Sequence, residues 1–381
     1  MKIKETIILL ILIVSFISCN ELTSDKRKIQ IKTKQINVKI NYNVETLGLI
    51  YSLADTELVY SDFKESAHLL KYFLDKFKKY KSHPAVIKMK ELLNKDIFES
   101  SSVTIGLFYT NFPEFNKKYD FDYSNYSEEE KKELFDFFEL ARKFYIDANL
   151  NQYFEKQEPL YTKIKSEIKS VLPKSKYIKT LEEFHGISML DYVIIPSVFI
   201  PNYFNFGPRI KTKNGTINYY VLGPTYDIKI EDEINLKKNI GFNDKDYISS
   251  TGVHEFGHTF MRFIDKPKNV ELINSISYLN TKDIQDKIYP QGYGTWEDVF
   301  EEHLVRTCEI VIASKMGNEK LKEELFNDYV KERGFKYIPL ILKILPEYEN
   351  NREKYKKFED FFPLIIEELR TKTKHNKMYS S

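Results

Sequence analysis

Thr251-Gly252-Val253-His254-Glu255-Phe256-Gly257-His258 is the stretch on which the reading of this chain turns. It contains H-E-x-x-H. On a helix, the i, i+4 spacing sets His254 and His258 one turn apart on one face. Two imidazoles so placed can hold one Zn²⁺ at about 2.0–2.1 Å each. Glu255 lies beside that face, where a carboxylate can accept a proton from a metal-activated water. Ser249, Ser250 and Thr251 are ready N-caps. The competing reading is a surface helix with two solvated histidines. Val253, Phe256, Phe260 and Met261 count against it, because they make the helix half-buried.

A catalytic zinc needs a third protein ligand and leaves its fourth position to water. The place to look is Trp296–Ala313 (WEDVFEEHLVRTCEIVIA), a strongly patterned helix that offers Glu301, Glu302, His303 and Glu309. A helical wheel leaves the choice open. His303 falls among the apolar residues, whereas Glu302 falls with Asp298, Arg306 and Glu309 on the polar side.

Outward from these helices, the chain divides by character. Residues 37–180 read as a helical N-terminal part. Phe63–Tyr80 has Leu69, Leu70, Phe73, Phe77 and Tyr80 near helical spacing. His83-Pro84 opens a helix through Leu93, Ser127 caps one that begins Glu128-Glu129-Glu130, and another covers Glu158–Val171. Residues 181–370 form the expected catalytic core. Tyr192–Ile200 (YVIIPSVFI) reads as a strand that Pro196 confines to an edge or bulge. Asn202–Pro208 reads as a turn-rich loop and Asn218–Leu222 as a second strand; helices resume after Gly241. The fold class is α+β, mostly helical. His185, before Gly186 at a helix end, reads as an imidazolium that favours the dipole.

The 381 residues are 42% hydrophobic and 30% charged, which excludes a disordered chain and a multispan membrane protein. A net charge of +2 argues against a nucleic-acid partner. Two cysteines, Cys19 and Cys308, make no disulfide framework.

Residues 1–19 read as an export signal. Lys2 and Lys4 precede the apolar run Ile7–Val14, and Ser18 stands before Cys19. The segment looks like a bacterial lipoprotein signal, with Cys19 lipidated as the mature N-terminus. Phe16 departs from the usual Leu of that pattern. Residues 20–36 then form a polar tether to the membrane, and residues 371–381 a fraying tail. The expected location is the bacterial cell envelope, periplasmic or surface-exposed.

H-E-x-x-H followed tens of residues later by a helix bearing W-x5-E-x-L-V-R resembles the gluzincin-type zinc metallopeptidases. More closely, the chain is similar to a family of bacterial lipoproteins, common in Bacteroidetes, that is a domain of unknown function with a peptidase-like site. The resemblance implies a zincin-like catalytic core and a peptide or protein substrate. It implies Glu302, ahead of Leu304-Val305-Arg306, as the third ligand, with Arg306 orienting its carboxylate. Thr307 stands where a small Ala is expected, and the N-E-x-x-S-D motif of thermolysin is absent. Tyr293, in Gln291-Gly292-Tyr293-Gly294, is a candidate oxyanion donor. The strand Tyr192–Ile200 and the following loop correspond to the peptide-binding edge strand of gluzincins. The rival class is a non-catalytic zinc lipoprotein acting as a binding module. Glu255 separates the two, because a structural zinc site has no need of a carboxylate there.

Overall fold

The computed structural model describes residues 34–55, 67–173, 176–230 and 233–378. Cys19, the expected export signal and most of the expected tether lie outside the described residues. Lys34–Ser381 is one compact unit. Its elements begin with β1 (Ile36–Val38), α1 (Tyr42–Ala54), α2 (His68–Phe77), α3 (Pro84–Asn94) and α4 (Glu128–Asp147). Next come α5 (Leu150–Lys156), α6 (Glu158–Val171), α7 (Lys176–His185), β2 (Asp191–Pro196), β3 (Asn205–Phe206), β4 (Arg209–Thr212) and β5 (Gly215–Leu222). The remainder is helical: α8 (Lys245–Met261), α9 (Pro267–Asn274), α10 (Lys282–Ile288), α11 (Trp296–Lys315), α12 (Glu319–Phe326), α13 (Ile338–Asn350) and α14 (Phe358–Met378). The fold is α+β and mostly helical, with one small mixed sheet.

Local chemistry sets several boundaries. Ser127 and Glu130 form a reciprocal capping box that starts α4. His83 accepts from the Ala85 amide before Pro84 opens α3. The α6 helix ends at Val171, two residues before Pro173. By contrast, α14 continues to Met378, so the fraying expected from residue 371 is not what the backbone does.

The helix α1 is buried nearly all round and anchors the N-terminal half to the sheet. Its Glu45 is wholly buried and receives the Ser197 hydroxyl at 3.2 Å and the Val198 amide at 3.3 Å. Burial pushes that carboxyl up to about 8, and the bonds from Val198, Ser197 and Phe199 only partly offset it. The glutamate thereby ties α1 to the turn that follows β2.

The sheet order is β1-β2-β5-β3, with β4 also on β5. The strands β1, β2 and β5 are parallel, whereas β3 and β4 run antiparallel to β5. Two expectations are corrected here. The strand β2 is interior, flanked by β1 and β5, and ends at Pro196 instead of running to Ile200. Proline is accommodated because it is the last residue of the strand, and the Ser197 amide bonds Leu222 O at 2.9 Å just beyond it. The last residues of the expected tether, 20–36, also belong to the fold. Ile36 opens β1, and the Lys34 ammonium pairs with Glu182 at 2.7 Å. The outer edge beside β5 is made by β3 and β4.

Candidate metal centre

The helix α8 starts earlier than Ser249, Ser250 and Thr251 led us to expect. Asp244 caps it by accepting the Tyr247 amide at 2.9 Å. Ser250 and Thr251 are a turn inside, with their hydroxyls bonded back to the carbonyls of Asp246 and Tyr247. Phe256 is fully buried, its ring meeting Tyr192 and Tyr220 edge-on. Burying Phe256 contributes about 1.5–3 kcal/mol to holding the helix against the sheet, and Phe260, stacked on His185, a similar amount against α7. Gly257 faces the other way, towards α11. A Cβ there would sit 3.2 Å from Val305 Cγ1, so the missing side chain lets the two helices approach.

The helix α11 begins at a capping box between Thr295 and Asp298, and Trp296 fixes its start by donating to Ile273 O at 3.1 Å. Its polar side faces α8 and is buried. Glu302, Arg306 and Glu309 are 3%, 4% and 2% exposed, which excludes a solvated face.

The close approach brings His254, His258 and Glu302 together, with one ligand atom from each within 4.8 Å of the others. The two Nε2 atoms are 3.2 Å apart. Glu302 Oε1 lies 3.3 Å from His258 Nε2 and 3.7 Å from His254 Nε2. Behind them, Glu309 Oε1 is 2.8 Å from His254 Nδ1, and Glu301 Oε1 is 2.9 Å from His258 Nδ1. With each Nδ1–H given to a carboxylate, both Nε2 lone pairs face the same small space. A cation between the two nitrogens relieves their approach, a proton on His258 where no metal is bound or a metal ion in its place. The charge balance points the same way, with carboxylates of Glu255, Glu301, Glu302 and Glu309 set against the Arg306 guanidinium, and Arg209 near Glu301. The residues therefore fit a divalent metal with nitrogen and oxygen donors, as zinc accepts.

Titration reflects the same field. Burial lowers the His258 pKa, but Glu301 and Glu302 outweigh it and push it up to about 10. Burial would raise Glu302, yet His254, Arg306 and His258 hold it well below the usual carboxylate range. Glu255 is different. Burial raises its pKa, with His254 and His258 opposing, and among the described residues its carboxylate makes no hydrogen bond. It is thus a free acceptor beside the two imidazoles.

Arg306 Nη2 pairs with Glu302 Oε2 at 2.9 Å and donates to the Tyr293 hydroxyl at 3.0 Å. Its guanidinium stacks over Tyr329 and Phe335. Tyr293 is therefore brought beside Glu302 and held there. Tyr329 lies on a short π-helical turn, Asn327–Glu332, and donates to Glu309 Oε2 at 2.6 Å. Sequence reasoning named Glu301 and Glu309 only as possible ligands; the geometry makes them the partners of the two histidines. His303 is buried, bonded to Val299 O at 2.7 Å and packed on Phe335, away from the cluster. Cys308 is a buried free thiol. His185 is also buried, stacked on Phe260 at 4.3 Å, and burial lowers its pKa to about 3. It is neutral, contrary to the imidazolium expected at that helix end.

These features define an α+β chain with a candidate metal centre between two antiparallel-packed helices. The chain belongs to the family described as a domain of unknown function, DUF4932, which matches residues 36–368. Searches of the curated proteins and of the solved structures find no match.

Proposed function

We propose that this chain is a zinc-dependent peptidase of gluzincin type, anchored to the cell envelope through a lipidated Cys19. The observation that carries the reading is the convergence of His254, His258 and Glu302 beside a Glu255 carboxylate with no hydrogen-bond partner of its own among the described residues. His254, His258 and Glu302 would hold the metal. Zinc bound there supplies Lewis acidity to a water and to the scissile carbonyl. Glu255 would take the proton of the attacking water and deliver it to the leaving amine, a role open to a carboxylate beside both imidazoles. Arg306 keeps Glu302 ionised and oriented. Tyr293 accepts from Arg306, which leaves its own O–H proton free for the developing oxyanion. The edge made by β3 and β4 is the surface on which an extended peptide would add as a strand.

Cleavage of a mixed peptide library by the parent and by Glu255→Gln tests the reading. The variant should retain zinc and lose hydrolysis by roughly 10²–10⁴. Equal hydrolysis by both would remove the peptidase assignment. The anchor is tested separately: Cys19→Ala should leave an unprocessed precursor, and efficient cleavage and release of that variant would refute lipidation.

A further inference from the structure

The hairpin of β4 and β5 is fastened to the histidine helix. Asn218 of β5 is fully buried, donates to Phe256 O at 3.1 Å and accepts the Thr259 hydroxyl at 2.9 Å. Arg209 of β4 is the partner of Asn218 across the antiparallel ladder. Directly opposed residues of such a pair project on the same face. Arg209 therefore projects towards α8 as Asn218 does, but one strand further out, at the sheet edge. Two residues earlier the chain passes so close to α8 that a Cβ on Gly207 would lie 2.3 Å from Glu255 O. Arg209 thus stands where the edge strand leaves its contact with Glu255.

The surroundings of this side chain are unusual for an arginine. It is 27% exposed, and its guanidinium lies 4.0 Å from Asp265 Oδ2. Among the described residues it makes no hydrogen bond. A guanidinium has five donors in a planar fork, which is the geometry that receives a carboxylate. Arg262, one turn beyond His258, shares the same Asp265, with Nη1 at 3.5 Å. The nearby carboxylates are otherwise committed. Glu301 is bonded to His258, and Asp122 accepts the Ser124 amide. Burial, then Arg262, lowers the Arg209 pKa to about 10, so the group still carries its charge at neutral pH. A partly buried, charged fork beside a second guanidinium is set up for an anion.

We propose that Arg209, with Arg262 beside it, receives a carboxylate of the peptide bound along the β3 and β4 edge, so that the site selects substrates with a negative group near the cleaved bond. This rests on the peptidase reading and assigns its substrate class. The carboxylate comes either from a free C-terminus or from an Asp or Glu side chain, and the two sources are separable.

The test is fluorescence anisotropy on zinc-loaded Glu255→Gln protein, which binds without turnover. Labelled hexapeptides are compared as free acids and C-terminal amides, each with Asp and Glu or with Asn and Gln inside. The anionic forms should bind about tenfold tighter or more. Arg209→Gln should erase that preference at unchanged zinc content and thermal midpoint, and Arg209→Lys should keep part of it. Preference for the free acid whatever the interior assigns the C-terminus; preference for acidic interiors in both forms assigns the side chain. Equal binding of neutral and anionic peptides, a preference that survives Arg209→Gln, or no binding at all overturns the inference. Hydrolysis of the neutral peptides by the parent judges the peptidase reading on its own, so that reading stands if those peptides are cleaved while Arg209 proves irrelevant.

Discussion

Glu309 Oε1 lies 2.8 Å from His254 Nδ1, and the bond joins α11 to α8 at the back of the metal centre. Glu309 is itself held by the Tyr329 hydroxyl at 2.6 Å. The relay fixes the tautomer of His254 and points its Nε2 at Glu302 and His258. A single buried carboxylate thus sets both the packing of the two helices and the direction of a ligand atom.

Glu309→Gln keeps the shape and removes the charge. It should weaken zinc binding by about 10–100-fold, the usual cost of losing a partner behind a ligand. Tyr329→Phe removes only the bond to Oε2 and should weaken binding less. Competition against a chelator of known affinity measures both. Equal zinc affinity in Glu309→Gln and the parent would mean that the relay does not support the site.

Glu302 and Glu301 are neighbours that should fail differently. Glu302 faces both Nε2 atoms, whereas Glu301 reaches only His258 Nδ1. Glu302→Gln should lose more zinc affinity than the roughly 10–100-fold expected of Glu301→Gln, and excess zinc should partly restore its activity. The reverse ranking, read by metal analysis after dialysis, would make Glu301 the ligand.

Tyr293→Phe removes a hydroxyl that accepts from Arg306 and lies beside Glu302. If that hydroxyl serves the oxyanion, kcat should fall by about 10²–10³ with KM and zinc content little changed. A change in KM alone would make it a binding contact.

Stability against acid should carry the signature of His185. Its folded pKa is about 3, below its ordinary value of 6.5, because burial and then Arg352 disfavour the charged ring. The unfolded chain therefore binds a proton that the folded chain refuses, and stability is lost as pH falls from about 6.5 towards 3. The slope approaches ~1.4 kcal/mol per pH unit. His303, lowered to about 4, adds a parallel loss. His185→Phe, which can keep the stack on Phe260, should flatten the fall in urea midpoint between pH 7 and pH 4. An unchanged slope would place the acid sensitivity elsewhere.

What the sequence disclosed was mainly local. Caps at Ser127 and His83 and the Pro173 stop act within a turn or two, so α3, α4 and α6 were legible almost to the residue. The i, i+4 histidines were legible for the same reason. The roles of Glu301, Glu302 and Glu309 depend on how α11 crosses α8, and that crossing depends on Gly257 meeting Val305, which no single helix records. The strand β4 is only four residues, Arg-Ile-Lys-Thr, too short for alternation to stand out. Pro196 suggested an edge, but the position of β2 is set by pairing with β1, far away in the chain. His185 read as an imidazolium at a helix end because its burial against Phe260 and Phe358 comes from distant helices.

The most direct measurement is an anomalous difference map at the zinc edge from crystals of the zinc-loaded protein lacking residues 1–19. The account predicts one peak per chain, at about 2.0–2.2 Å from Nε2 of His254, Nε2 of His258 and a carboxylate oxygen of Glu302. No peak there, or a peak ligated by Glu301 or Glu309 in place of Glu302, would contradict it.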